Sequence, residues 1–521
     1  MRRFVAEESG ATGLPLAALL LAAALLHVLV TLRAGNPWHP DEHFQILEFA
    51  WARAGLAPLG ELPWEFAARI RPTLQPTLAM GALAALRAVG VTSPWPWILA
   101  LRLATLALSF AVLLHVIAHA SPTLGRAGRR TLWLAGLFLW FAPLFTSRFT
   151  SENLSGLALA AALPWLERDL RPGGDAWPRR DLGIGALLGL AFVLRFQMAF
   201  AIAAVLVGVV VRGAGGLARV GRLAAGALAV VALGALLDAW FYGAWVFTPW
   251  EYLRTNLIEG MAATFGTSPW WWYFAQAPLW MAPPLGIALA GLLIAAIVAR
   301  PRSPWVWAFV AFLAGHSLIA HKELRFLFPL LPLLPVLLAL GVDAVDAGTR
   351  PLRWRRPLVW ALVAQNTVLA FILLTPSIHQ GREMDFRYYR FLWDAAETRA
   401  GAPLFVLSDG GDPYRVEELV VNVVRHPAVR GVSFGAADGL AALLPADTPP
   451  GDVLVTTRDG GPPRKADVFG WELLYVAEPG YRIMARSVGL DGSALERKLK
   501  TLEGWTRSEW VRRAYRPVDP Q

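Results

Sequence analysis

Two neighbouring carboxylates flanked by histidines, in Asn36-Pro-Trp-His-Pro-Asp-Glu-His-Phe-Gln45, make the first segment able to do chemistry. Asp41 and Glu42 repel each other and lose solvation in a partly apolar setting, so one of the pair is expected to have a raised pKa. Such a carboxylate can take a proton from an attacking hydroxyl. His39, Asp41 and His43 are also ordinary metal-ligand types, although their spacing matches no strong metal motif. A plain solvated loop is the competing reading.

The second segment is His321-Lys-Glu-Leu-Arg-Phe326, between two apolar runs. Lys322 and Arg325 beside His321 suit an anionic headgroup, Arg through its planar fork and Lys as a point charge. Glu323 is placed to hold either cation; otherwise the segment is a hydrated charged turn. Arg148 with Glu152, and Arg195 with Gln197, lie at helix ends. They read as extra phosphate or sugar contacts, or as snorkelling arginines. Tyr242–Trp271 is a long loop carrying Pro249-Trp-Glu-Tyr252, Asn256 and Glu259, and Phe265-Gly-Thr-Ser-Pro-Trp-Trp-Trp-Tyr273 runs on from it. Its aromatics, Trp270 among them, form an interfacial belt, or stack on sugar rings and pack on isoprenoid tails.

Lipid has to position these groups. Of 521 residues, 56% are hydrophobic and 17% charged, and mean hydropathy is +0.46. That excludes a disordered chain and an ordinary soluble enzyme. Apolar segments fall near 13–32, 98–119, 131–146, 154–167, 183–195, 197–211, 223–241, 272–299, 305–320, 327–347 and 357–375. The first follows Arg2 and Arg3 and reads as a retained signal anchor. The fold class is an all-α polytopic membrane protein of roughly 11 transmembrane helices, with a small C-terminal extracytoplasmic α/β domain. Residues 1–375 form the membrane module and 376–521 the domain.

The net charge of +10 sits in Arg-rich loops between apolar segments, which points to membrane orientation rather than to a nucleic-acid partner. Cys is absent, which removes disulfides, thiolate metal ligands and Cys nucleophiles. Every Arg-rich loop lands on the cytoplasmic side if 72–92, with Pro72, Pro76 and Arg87, is an interfacial helix rather than a crossing. The first outer loop (33–97), 147–153, the turn 195–197, the second large outer loop (242–271), 321–326 and the tail then all lie outside. Charge at the membrane rim is costly and by default functional. Five segments delivering it to one face suggest a single site. In the tail, Leu404–Leu407, Val453–Val455 and Leu473–Val476 read as strands, Val416–Val424 as a helix and Asp409–Pro413 as a turn.

His39-Pro-Asp-Glu-His-Phe-Gln45, Phe265-Gly-Thr-Ser-Pro-Trp270 and His321-Lys-Glu-Leu-Arg-Phe-Leu-Phe-Pro329 together resemble the polyprenyl-phosphate-mannose-dependent mannosyltransferases of the GT-C superfamily. The likeness is to the branch of the GPI-anchor and lipid-linked-oligosaccharide enzymes, and it covers roughly residues 14–376. High Arg and Ala content suggests a bacterial relative in a cytoplasmic membrane. The resemblance implies a lipid-phosphate-linked sugar donor, usually mannose, inversion at the anomeric carbon, and an extracytoplasmic site. It implies Asp41 as base with Glu42 next, and His321, Lys322 and Arg325 on the donor phosphate; Arg195 and Arg148, read above from their place at helix ends, would add further cations there. His39, His43, Glu152, Trp270 and Glu323 would contact substrate. Enzymes using monophosphate donors resemble metal-independent ones, so no metal or cofactor is expected. The acceptor is a glycolipid or glycan. The alternatives are a transporter or flippase for a lipid-linked or anionic solute, or a sensor whose tail binds a ligand. Transporters often carry inverted repeats and midplane charge; no repeat is legible here, and the charges gather at one rim.

Overall fold

The computed structural model describes residues 7–10, 12–33, 36–37, 39–171, 177–212, 216–348, 355–374, 386–399, 402–409, 412–416, 418–434, 453–457, 470–477 and 512–518. The chain divides into two compact units. The first contains Met1–Thr31, Ala68–Ala82 and Ile98–Leu373; the second contains Leu32–Ala67, Leu83–Trp97 and Leu374–Gln521.

The first unit is helical. Among the described residues five helices of the chain are long and apolar enough to cross a membrane: Leu16–Arg33, Pro94–Thr123, Gly216–Tyr242, Leu324–Ala347 and Arg356–Leu373. Phe196–Val211, Leu285–Ala299 and Pro304–Leu318 are shorter apolar helices. The first four residues of such a helix lack internal acceptors and its last four lack donors, and lipid supplies neither. Interruptions therefore need partners from elsewhere.

Two apolar runs that read as single crossings are interrupted. In 131–146 the helix Arg126–Phe138 ends, Leu139 turns to extended backbone, and a short helix Ala142–Phe145 follows. In 272–299 the helix Trp272–Trp280 stops before Leu285–Ala299 begins. Adjacent side chains on the helix Arg355–Leu373 mend both. Asn366 accepts from the Trp140 N–H at 2.9 Å and donates to the Phe138 carbonyl at 2.8 Å. Gln365 accepts from the Leu285 N–H at 3.1 Å and donates to the carbonyls of Ala282 and Pro283, each at 3.0 Å.

The helices Pro178–Leu194 and Gly216–Tyr242 pack through a seam of small residues. A Cβ on Gly185 would lie 2.1 Å from the Leu223 carbonyl oxygen, one on Gly189 2.5 Å from that of Ala227, and one on Gly226 2.2 Å from that of Leu182. Backbones come this close only where side chains are missing. Beside this seam the arginines of the Arg-rich loops meet acids. Arg219 and Asp181 are fully buried and bonded at 3.0 Å. Arg219 also reaches Asp169 at 3.0 Å, Arg222 reaches Asp181 at 2.9 Å, and Arg180 reaches Asp169 at 2.9 Å.

In the second unit, strands β1 (Leu404–Asp409), β2 (Arg415–Val416), β3 (Leu419–Val420), β4 (Val429–Phe434), β5 (Val453–Thr457), β6 (Gly470–Ala477) and β7 (Arg512–Val518) form a five-stranded sheet in the order β4-β1-β5-β7-β6 and a separate β2-β3 pair. β1 runs parallel to β4 and β5, while β7 is antiparallel to β5 and β6. The three strand-like runs of the tail fall in β1, β5 and β6. The helix expected over Val416–Val424 is not formed. Arg415–Val416 pairs antiparallel with Leu419–Val420 instead, in keeping with the β-branched side chains of Val416, Val420, Val421, Val423 and Val424. Part of the expected Asp409–Pro413 turn lies outside the described residues. An amphipathic helix, Phe386–Glu397, buries Phe386, Tyr388, Tyr389, Leu392, Trp393 and Ala396. The Trp51 ring stacks on that of Trp97, with centroids 5.9 Å apart.

Candidate active site

In the first unit, the His321–Phe326 segment is clasped to the Phe265–Trp271 segment. The Ser268 N–H donates to the Ala320 carbonyl at 2.9 Å. The His321 Nδ1 donates to the Gly266 carbonyl at 3.0 Å. Gly266 stands at φ 102°, which a side chain would strain. Lys322, expected at a phosphate, directs its ammonium to backbone carbonyls, at 2.9 Å from the Ser268 oxygen and close to that of Ile319. It is 7% exposed, and burial pushes its pKa below the ordinary lysine range.

Glu323 lies between His321 and Arg325. Its Oε1 is 3.0 Å from His321 Nε2, and its Oε2 accepts from Arg325 Nε at 2.5 Å. With a carbonyl at one ring nitrogen and a carboxylate at the other, His321 satisfies both partners when both nitrogens carry protons. Arg325 then lies 5.2 Å from the centroid of the Phe326 ring, and Arg195 lies 5.6 Å from the same centroid. Phe326 is therefore shared by two guanidinium groups.

Arg195 ends the helix Pro178–Leu194 in an extended conformation, φ −156° and ψ 110°. It donates to Glu152 Oε1 at 2.8 Å and to Ser151 Oγ at 3.3 Å. Glu152 opens the helix Ser151–Asp169, whose N-cap is Thr150. Arg148 is buried in the turn just before, where its Nε donates to the Leu144 carbonyl at 3.3 Å. Gln197 donates to the Tyr252 hydroxyl, and Arg71 lies 6.0 Å from the Tyr252 ring centroid. The unit thus joins His321, Glu323, Arg325, Arg195 and Glu152 into one network at helix ends. Trp270 is 65% exposed and packs edge-on to Phe274.

The second unit holds His39, Asp41, Glu42 and His43. His39 is the N-cap of the short helix Pro40–Glu42, and its Nδ1 accepts from the Asp41 N–H at 3.2 Å. Pro40 at the first helical position fixes the entry. Asp41 and Glu42 are partly exposed. His43, expected at the substrate, is fully buried: its Nε2 bonds Glu48 Oε1 at 2.7 Å, and its ring packs edge-on to Phe44 and Phe386. The backbone of His43–Glu48 is π-helical.

Several of these groups escape a reading of the sequence. Arg71 carries no motif, and the Pro249–Tyr252 segment does not announce the bond of Tyr252 to Gln197. Glu48 carries a weak signal, an acid inside the apolar run Phe44-Gln-Ile-Leu-Glu-Phe49.

Residues 17–392 match the Alg9-like mannosyltransferase family, a span that contains all three motifs. The chain belongs to that family. Among similar proteins, the GPI mannosyltransferase 3 of Yarrowia lipolytica is 28% identical over 365 residues, 67% of this chain and 66% of its own length. The human GPI alpha-1,2-mannosyltransferase 3 is 23% identical over 371 residues, 70% of this chain and 63% of its own. The matched stretch thus spans just under two thirds of either relative. ArnT from Cupriavidus metallidurans in the apo state overlaps 86% of this Alg9-like chain and 94% of its own, with 16% identity and a TM-score of 0.48.

Proposed function

We propose that this Alg9-like chain is a membrane glycosyltransferase that moves a sugar, mannose, from a polyprenyl-phosphate donor to a hydroxyl of a glycolipid or glycan, with inversion, on the extracytoplasmic side. The observation that carries the reading is the chain of contacts Glu152–Arg195–Phe326–Arg325–Glu323–His321 at helix ends. A lipid tail stays among apolar helices while its phosphate meets protein where those helices end. Residues 376–521 form an extracytoplasmic domain in this reading.

The reaction is a single displacement. The acceptor oxygen bonds to the anomeric carbon as the bond from that carbon to the phosphate oxygen breaks. The acceptor proton passes to Asp41, with Glu42 beside it, and the electron pair of the broken bond leaves on the phosphate. Arg325, Arg195, His321 and Arg148 stabilise the charge growing there, more in the transition state than before it. Carboxylates that fix the guanidinium groups beforehand remove the cost of orienting them during the reaction. Lys322 serves through position: it keeps the 265–271 loop against the 319–322 turn. Trp270 is left to stack on sugar or lipid, while His39 caps the turn that carries Asp41.

The test is transfer in vitro from polyprenyl-phosphate-mannose to a panel of membrane glycolipids, following released polyprenyl phosphate. Release that depends on the acceptor supports the reading. Movement of intact donor across vesicles without release would favour a transporter and sink it.

A further inference from the structure

Glu48 has no part in the chemistry above, yet it is 1% exposed and bound both by a near neighbour and by a distant part of the chain. Its Oε1 bonds His43 Nε2 at 2.7 Å and accepts from the backbone N–H groups of Asn422, at 2.7 Å, and Val423, at 3.0 Å. A carboxylate this buried is costly unless it is paired and hydrogen-bonded. It also cannot meet His43 from an ordinary helix. At 3.6 residues per turn, positions five apart point about 140° away from each other. The π-helical backbone of His43–Glu48 closes its rings one residue later and brings the two onto one side.

The C-terminal part grips the same stretch at two more points. The Phe386 N–H donates to Asn36 Oδ1 at 2.8 Å, and the Phe386 ring meets His43 edge-on at 5.4 Å. Asn422 Nδ2 donates to Glu61 at 3.0 Å. Asp41 and Glu42 lie between the Asn36 and His43 attachments.

We propose that Glu48 is a positioning residue, through which the backbone at 422–423 fixes His43 and so sets the place of the Asp41–Glu42 turn. The C-terminal part then contributes to catalysis by holding the first-loop acids rather than by touching substrate. This rests on the reading of those acids as the base.

The experiment uses full-length protein in lipid, with kcat and donor KM measured from release of polyprenyl phosphate. Glu48→Ala is expected to lower kcat by about 10²-fold, the scale of a misplacement near 1 Å, with donor KM near the parent value. Glu48→Gln keeps an acceptor oxygen for His43 and both amides, so it recovers most of the rate. Parent-like kcat in Glu48→Ala, or an equal loss in both variants, overturns the proposal. Asp41→Asn separates the two readings. If it transfers normally, the base assignment fails; if it is dead while Glu48→Ala works normally, only the positioning role fails. Hydrogen exchange of residues 39–45 needs no substrate: faster exchange in Glu48→Ala supports the proposal, and unchanged exchange overturns it.

Discussion

Lys322 donates to the Ser268 carbonyl at 2.9 Å, so two loops 54 positions apart in sequence are tied by one ammonium group. Lys322→Ala is expected to loosen the 265–271 loop, which two other hydrogen bonds still hold, and to raise the donor KM about tenfold, the worth of roughly 1.4 kcal/mol of binding. Lys322→Arg should recover part of that loss. Steady-state kinetics with polyprenyl-phosphate-mannose decides it, and an unchanged KM in Lys322→Ala would remove the tie from the donor site.

Asp41→Asn keeps the size and the backbone of the turn but cannot take up a proton. General-base contributions run at about 10²–10⁴-fold, so transfer should fall by at least that lower bound while the protein still inserts and purifies normally. Transfer within a few fold of the parent would exclude Asp41 as the base.

Glu152 and Arg195 form a buried ion pair, with 11% and 6% of their side chains exposed. Removing one partner of such a pair typically costs about 3–5 kcal/mol, because a buried charge is left alone. Glu152→Ala should therefore lower thermal stability clearly. Glu152→Gln, which keeps an acceptor for Arg195, should cost less. A thermal-unfolding series in detergent reads the difference, and equal midpoints would show that the pair contributes little.

The two hydrogen bonds of Asn366, one with Trp140 and one with Phe138, make a prediction about folding alone. Asn366→Leu leaves an N–H and a C=O without their partner, each worth about 1–3 kcal/mol when buried. Its unfolding midpoint should drop while kcat of the surviving fraction stays near the parent value. A kcat loss without a stability loss would contradict this.

The sequence makes some of this arrangement readable and hides the rest for identifiable reasons. Leu16–Arg33 and Gly216–Tyr242 follow from apolar length alone. Leu404–Asp409 and Val453–Thr457 follow from short strand-like runs, the second rich in β-branched residues. The breaks at Leu139 and Met281 are harder to see, because the groups that make them tolerable, Asn366 and Gln365, lie far along the chain. The His43–Glu48 pairing is invisible to a helical pattern, since it exists only where the backbone is π-helical. Strand β7 contains Arg512, Arg513, Arg516 and Pro517, which mask its pairing with β6. At the candidate site, residue types announce His321, Glu323 and Arg325. Their division of labour, with Glu323 between His321 and Arg325 and Lys322 turned to a neighbouring loop, requires coordinates.

The two helix interruptions mended by Gln365 and Asn366 also bear on biogenesis. While the ribosome is still making the earlier segments, the gaps at 138–140 and 282–285 have no side chain to close them. Both become complete only when the helix Arg355–Leu373 has been synthesised and has entered the bilayer. The last apolar helix of that unit thus works as a late-arriving keystone, and a chain halted before it would keep two open seams exposed to quality control.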